Sequence, residues 1–345
     1  MNTKLYTGTG ANQSITGVGF KPDMNWCKTR TSGGYNHVIV DIVRGVSKII
    51  RPNLTNDEDT FTNALTSFNS DGFSLGADTN GEHNKNGDSF VSWNFKAGSA
   101  GSANTAGSIN STVSVNTTAG FSIVKWVGTV ATPQTIGHGL GSIPKVFIVK
   151  NLDRAVSWKM YHHVIGNTKA MTLDTTVAES GADNGFWNNT TPTNAVFSTG
   201  NGAGYTTGGI AENYITYCFA EKQGYSKFGS YVGNGNVNGT FIYTGFKPSF
   251  ILRKRTDDVG AWLMQDNKRP GSNRVVADSL PTDQNVLRAN ETSAEEYNNE
   301  LDMLSNGFKL RADNSFGNSS GATYIYMAFA EAPLVGSNGV TAKAR

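Results

Sequence analysis

Three segments of this chain repeat one another, and self-similarity on this scale restricts the fold more than any other feature of the sequence. Gly17-Val18-Gly19-Phe20-Lys21-Pro22 aligns with Gly139-Leu140-Gly141-Ser142-Ile143-Pro144 and with Tyr243-Thr244-Gly245-Phe246-Lys247-Pro248. An apolar run follows each proline: Met24 to Cys27, Val146 to Val149, Phe250 to Leu252. Far downstream, Phe90 to Ala97 matches Tyr214 to Glu221 and Tyr324 to Glu331. Pro22, Pro144 and Pro248 precede Phe95, Phe219 and Phe329 by 73, 75 and 81 residues. Two anchors at nearly constant separation in three places predict three tandem copies of one unit.

Between the anchors, Asp71-Gly72-Phe73-Ser74-Leu75 is echoed by Asn306-Gly307-Phe308-Lys309-Leu310, and more weakly by Ala195 to Gly200. A turn glycine before alternating apolar residues reads as a turn leading into a strand. Glycine, 40 of 345 residues, together with abundant Asn, Ser and Thr, favours short strands and tight turns over helices. The expected fold class is all-β: three tandem copies of a β-sandwich or jelly-roll-like unit, with little helix. The helical candidate is Ser293 to Leu304, where Tyr297, Leu301 and Leu304 share one face. The expected boundaries are units at 1–97, 120–222 and 223–334, a Gly/Ser/Thr/Asn-rich linker at 98–119, and a polar tail at 335–345. The short junction from Gln223 to Phe228 makes the last two units a rigid pair and leaves the first hinged.

Composition narrows the function classes. Charged residues are only 16% of the chain, and 27 acids nearly cancel 29 bases, so nucleic acid and anionic membranes are not expected partners. No run is long and apolar enough to span a membrane, and Met1 to Gly10 lacks the apolar core of a signal peptide, so synthesis in a cytoplasm is expected. Cys27 and Cys218 sit in apolar runs and read as buried free thiols. His162 and His163, adjacent in a predicted strand, are expected on opposite faces; His138 reads as a turn or packing residue. Asp41 with Arg44, and Asp266 with Arg269, recur at one spacing in the first and third repeats and predict an ion pair steadying a turn. Trp26, Trp93, Trp158 and Trp262 occupy repeat positions and read as core. No nucleophile elbow, phosphate loop or zinc-protease motif is present, so no catalytic residue and no cofactor is assigned.

Two stretches are private to one repeat. The loop Asp78 to Asp88 is rich in acids and amides, and Asp78, Asn80 and Asp88 are candidate Ca²⁺ ligands, although the spacing departs from the twelve-residue calcium loop and a solvated hairpin loop fits better. Trp187 has no counterpart elsewhere and is flanked by amides; burial in the core is the favoured reading, and with Asn188 and Tyr205 it is also a candidate sugar-stacking site.

The Gly-Phe-Lys-Pro turn, the run Leu65 to Gly76 and the segment Gly224 to Gly235 together resemble a repeated domain of unknown function found in virion structural, tail-fibre-like proteins of marine and cyanobacterial tailed phages. The likeness extends from about Leu5 to Ala332. It implies a non-enzymatic virion protein that assembles with other virion proteins and with copies of itself. A tail appendage contributing to host-surface attachment is the leading expectation, with a host glycan as partner. A capsid-exterior protein and a free-standing carbohydrate-binding module are the alternatives, and a depolymerase is disfavoured because no carboxylate pair recurs between repeats.

Overall fold

Gly19, Gly141 and Gly245 stand three residues before the repeat prolines, with φ of 84°, 64° and 84°. A side chain is strained in that conformation, so these glycines fix the turn that delivers the chain into a strand after each proline. The computed structural model describes residues 1–129, 134–200, 207–269, 284–297, 301–313 and 316–331. It is 42% strand and 1% helix, an all-β chain built from several sheets.

The strands of the first repeat are β1 (Asn2–Thr7), β2 (Gln13–Thr16), β3 (Met24–Thr29), β4 (Val38–Asp41), β5 (Lys48–Ile49), β6 (Asp59–Thr60), β7 (Leu65–Asn69), β8 (Gly72–Leu75) and β9 (Ser89–Phe95). The chain continues with β10 (Ser102–Asn104), β11 (Ser111–Asn116), β12 (Phe121–Val127), β13 (Gln134–Gly137), β14 (Val146–Asn151), β15 (Lys159–His162), β16 (Met171–Thr172), helix α1 (Asn184–Trp187), β17 (Val196–Thr199) and β18 (Asn213–Phe219). The last repeat holds β19 (Ser226–Val232), β20 (Phe241–Tyr243), β21 (Phe250–Arg255), β22 (Leu263–Asp266), β23 (Gln284–Arg288), β24 (Glu296–Tyr297), β25 (Leu301–Leu304), β26 (Gly307–Leu310) and β27 (Thr323–Phe329).

One antiparallel strand order recurs three times: β1-β9-β3-β4, β12-β18-β14-β15 and β19-β27-β21-β22. Register agrees as well, since the first residue of the strand after each proline pairs with the anchor phenylalanine: Met24 with Phe95, Val146 with Phe219, Phe250 with Phe329. A smaller sheet accompanies each: β2-β8-β7, β13-β17 and β20-β26-β25.

Strand alternation gives each large sheet two apolar faces. Val91, Trp93 and Phe95 of β9, Ile215, Tyr217 and Phe219 of β18, and Ile325, Met327 and Phe329 of β27 belong to one shared core. The other faces pack on the smaller sheets: Val38 and Val40 against Phe73 in the first repeat, Phe147 and Tyr214 against Phe197 in the second. At the centre the three anchor phenylalanines meet one another edge to face. Phe95 and Phe219 lie 5.9 Å apart, Phe95 and Phe329 5.5 Å, and Phe219 and Phe329 5.7 Å, with interplanar angles of 69°, 82° and 64°. This is the favoured geometry for aromatic quadrupoles.

The repeats therefore close into a ring around a pseudo-threefold axis, and main-chain hydrogen bonds follow the same symmetry. Glu58 N donates to Leu152 O (2.9 Å), Glu179 N to Thr256 O (2.9 Å), and Glu295 N to Arg30 O (2.8 Å), linking first to second, second to third and third to first. The large rings at equivalent positions run the other way round. Trp158 Nε1 donates to Arg51 O of the first repeat (3.1 Å) and Trp262 Nε1 to Thr172 O of the second (2.9 Å). His37 Nε2 donates to Arg288 O of the third (3.0 Å), its tautomer fixed because Nδ1 accepts from Trp26 Nε1.

Several expectations need correction. Residues 98–119 are not a linker: β11 pairs with β12 along its whole length and β10 pairs with β11, extending the second repeat's sheet. The segment's small polar side chains suit an edge strand with one solvated face. The first repeat is not hinged, because it touches both others through the bonds above. Ser293 to Leu304 is not a helix, since Glu296–Tyr297 and Leu301–Leu304 are strands; pairing with β23 and β26 overrides the helical spacing. His162 ends β15 and His163 begins a turn, so alternation stops between them and their rings stack at 5.3 Å. The 335–345 tail lies outside the described residues.

Because no repeat can bury its inner face alone, the chain should unfold in one cooperative step. Phe219→Ala should cost about 3–5 kcal/mol, read by chemical denaturation followed by fluorescence and circular dichroism. Separate transitions for the three repeats would contradict the ring.

Candidate functional site

The polar residues shared by the repeats lie at the junctions between them. Asp41 and Arg44, fully buried, are joined at 2.5 Å, and Tyr217 of the second repeat donates to the same carboxylate oxygen at 2.7 Å. Asp266 and Arg269, equally buried, are joined at 2.7 Å, and Trp93 Nε1 of the first repeat donates to Asp266 at 3.0 Å. Each guanidinium also reaches a glutamate, Glu58 at 3.3 Å and Glu295 at 3.0 Å, and a main-chain carbonyl, Ile39 O or Met264 O. Burial, then the nearby Asp41 charge, holds the Tyr217 hydroxyl well above its ordinary range, so it remains a donor. The predicted ion pairs exist, but they fasten repeats together as well as steadying a turn.

The remaining junction has different chemistry in the same geometry. His162 and Ile165 stand in the places of the Asp and the Arg, and Met327 in the place of Trp93 and Tyr217. Val164 N donates to His162 Nδ1 (3.3 Å), so Nε2 carries the proton and donates to Tyr326 O (3.3 Å). Burial, reinforced by His163, pushes His162 down to about 3. Burial likewise lowers His37, His83 and His138. Three equivalent lysines, Lys28, Lys150 and Lys254, are each pushed down to about 8, first of all by burial. Their ammonium groups donate to main-chain carbonyls; Lys150 reaches Thr55 O of the first repeat (2.8 Å) and Lys254 reaches Thr176 O of the second (3.2 Å).

Trp187 is not an exposed platform. It is fully buried, its Nε1 donates to Lys169 O (2.8 Å), and it meets Phe147 edge to face at 4.8 Å. The flanking polar residues are helix caps: Asp183 accepts from Gly185 N, and Asn188 takes the left-handed conformation (φ 50°, ψ 36°) that ends α1. Asp183 and Asn188 were the legible signals of that helix. Tyr205 lies outside the described residues.

The candidate Ca²⁺ ligands are not gathered into a cation site. Both oxygens of Asp78 face inward and accept four main-chain N–H groups, from Asn80, Gly81, His83 and Asn84, at 2.6–3.1 Å. A carboxylate ringed by amide protons organises its own loop, and those positive ends oppose a cation. Asn80 is exposed, while Asp88 pairs with Lys85 at 3.5 Å and accepts from Thr29. Among the described residues no three His, Cys, Asp or Glu side chains are grouped to share an ion. Cys27 and Cys218 are buried and free as expected, and burial pushes Cys27 up to about 12.

A surface that the sequence reading missed lies on β20. Phe241 and Tyr243 are 44% and 66% exposed, while Ile242 between them is buried. Register places Ile242 opposite Phe308, as Ile15 lies opposite Phe73 and Ile136 opposite Phe197. The two aromatics therefore replace Ser14 and Thr16 of the first repeat, and Thr135 and Gly137 of the second. Register places Tyr243 opposite Gly307 and Phe241 opposite Lys309, whose far neighbour Asp302 is buried and joined to Arg311. The result is two exposed rings on one strand face beside the Lys309 cation, a combination suited to C–H/π stacking with hydrogen bonds at the margin. The signal available in sequence was alternation in Phe241-Ile242-Tyr243 with aromatics on the outward positions.

Two outcomes follow. Arg44→Ile should cost about 3–5 kcal/mol by leaving Asp41 buried and unpaired, whereas Asp41→His, Arg44→Ile and Tyr217→Met together should lose less than half of that in denaturant titrations. For the histidines, a folded-state value below the unfolded 6.5 means the unfolded chain takes up protons first as pH falls. Stability should then decline from pH 6.5 to 5, by as much as about 1.4 kcal/mol per pH unit per histidine, and His162→Asn should remove close to one proton from that slope.

The model of a protein family described as a domain of unknown function, DUF7483, matches residues 1–333 as one continuous span, so the chain belongs to that family. No curated protein and no solved structure matches the chain.

Proposed function

We propose that this member of the DUF7483 family is a non-catalytic virion structural protein of a tailed phage, a tail-fibre or appendage component that contributes to host-surface attachment. Its body is three tandem copies of one β-sandwich unit, each formed by a large inner and a small outer sheet. The observation that carries the attachment reading is the exposed Phe241–Tyr243 pair, private to one repeat, on a body whose shared polar groups are occupied in holding the ring closed. A rigid scaffold displaying a variable surface is the arrangement that recognition proteins use. The partner would be a host-surface glycan, met by the two rings, with other virion proteins and further copies of the chain holding the body on the particle.

A carbohydrate-binding module acting alone is the second reading, favoured by the same aromatic pair. Antibody labelling of purified particles separates the two: label on the tail supports the appendage, label on the capsid exterior moves the protein there, and unlabelled particles refute a virion role. Purified protein should also compete with particles for host cells. Replacing Phe241 and Tyr243 together by Ala should weaken that competition about tenfold without lowering the unfolding temperature.

A further inference from the structure

The junction between the second and third repeats differs from the other two in its polar groups, and a concavity lies beside it. Sequence position and register make Ile165 the counterpart of Arg44 and Arg269, since Asp41, His162 and Asp266 pair with Met24, Val146 and Phe250. At the other junctions a buried guanidinium links the aspartate to Glu58 or Glu295. Here the equivalent glutamate, Glu179, pairs instead with Lys169, and a concavity of about 450 Å³ lies between Ile165 and the end of β19. Its walls include Val164 and Val232, 42% and 54% exposed, and the exposed Ser230. The volume falls within the ordinary range of small-molecule sites.

We propose that this concavity is a binding site for a neutral saccharide unit. The chemistry of the walls selects the class. The Asp–Arg pair of the other junctions is replaced by a neutral histidine and an isoleucine, so the junction keeps its charge balance. Lys169 and Glu179 already neutralise each other, and a charged ligand would have to break that pair. A neutral ring can accept from the remaining ammonium protons and donate to the remaining carboxylate lone pairs while leaving the pair intact. Its C–H face fits the aliphatic wall of Val164, Ile165 and Val232, and the Ser230 hydroxyl can give or accept one further bond. The site is distinct from the aromatic pair on β20. It rests on the attachment reading for its purpose, but labelling of particles tests that reading separately from binding.

The test is titration of the full chain, by calorimetry and saturation-transfer NMR, with methyl glycosides of glucose, galactose, mannose and N-acetylglucosamine, and with glucuronate as the charged comparison. At least one neutral glycoside should bind. Ser230→Trp, at an exposed position on the wall, should weaken it at least tenfold, as should Val232→Trp, while Ser14→Trp, at an exposed position on the first repeat's outer sheet, leaves it unchanged; unfolding temperature serves as the control for an intact fold. The proposal is overturned by binding that survives both tryptophan variants, by an equal loss in Ser14→Trp, by preference for glucuronate, or by silence across the panel.

Discussion

The contact of Phe95, Phe219 and Phe329 on the pseudo-threefold axis is the constraint from which the rest of the architecture follows. Each phenylalanine ends the central strand of its sheet, so bringing the three rings together brings three sheets face to face. Each inner face is then covered by the other two, and each outer face by its own small sheet. An apolar void of about 20 Å³ lies near the axis, without polar groups to hold water. A linear array of repeats can lose a terminal member and keep the remaining contacts. Removing one repeat from this ring exposes both remaining inner faces, so three is the smallest number that buries them all. The continuous family match over residues 1–333 agrees with the ring, rather than the single repeat, being the domain.

The junction polar groups show how one geometry tolerates two chemistries. A buried carboxylate needs a cation and donors, and the first and third repeats supply both, the donor coming from the neighbouring Tyr217 or Trp93. Met327 cannot donate. Where it stands, the carboxylate is absent too, and His162 serves both ends by accepting from the turn and donating to a carbonyl. Acid, base and donor are therefore replaced as a set. Changing one member alone would strand a buried charge, the costly outcome, whereas changing all three leaves every group satisfied.

How much of this was legible in the sequence depends on whether a feature is local or not. The turn glycines, the strands after each proline and the three anchors were readable because backbone conformation and alternation are set within a few residues. So was the Asp–Arg spacing, since the pair closes its own turn. Residues 98–119 were not, because small polar side chains describe a flexible chain and an edge strand equally well, and the choice is made by β12, which pairs with them. The sugar-stacking reading of Trp187 failed, and its burial held, for a related reason: Asn188 looks like a sugar-binding amide until it is recognised as the left-handed cap of a one-turn helix that plants the indole in the core. The ring itself left no local signature. A repeated aromatic at a strand end fits a string of separate domains as readily as a closed body, and only the contacts among the three phenylalanines decide between them.

Closure also determines where variation can enter. Positions equivalent among the repeats are held by neighbours on both sides, so change is cheapest on the outer sheets and at the one junction that has dispensed with its arginine. Both special surfaces lie there, the rings of Phe241 and Tyr243 on the third repeat and the concavity beside Ile165. On the proposed function, the symmetry stabilises the body without multiplying its contacts with a target. Strong attachment through such surfaces requires several chains presented together, since effective concentration rises only when a second site is tethered within reach of the first. Ring closure within the chain is met by the phenylalanine triad, and the presentation of several copies that the proposed function calls for is a separate requirement.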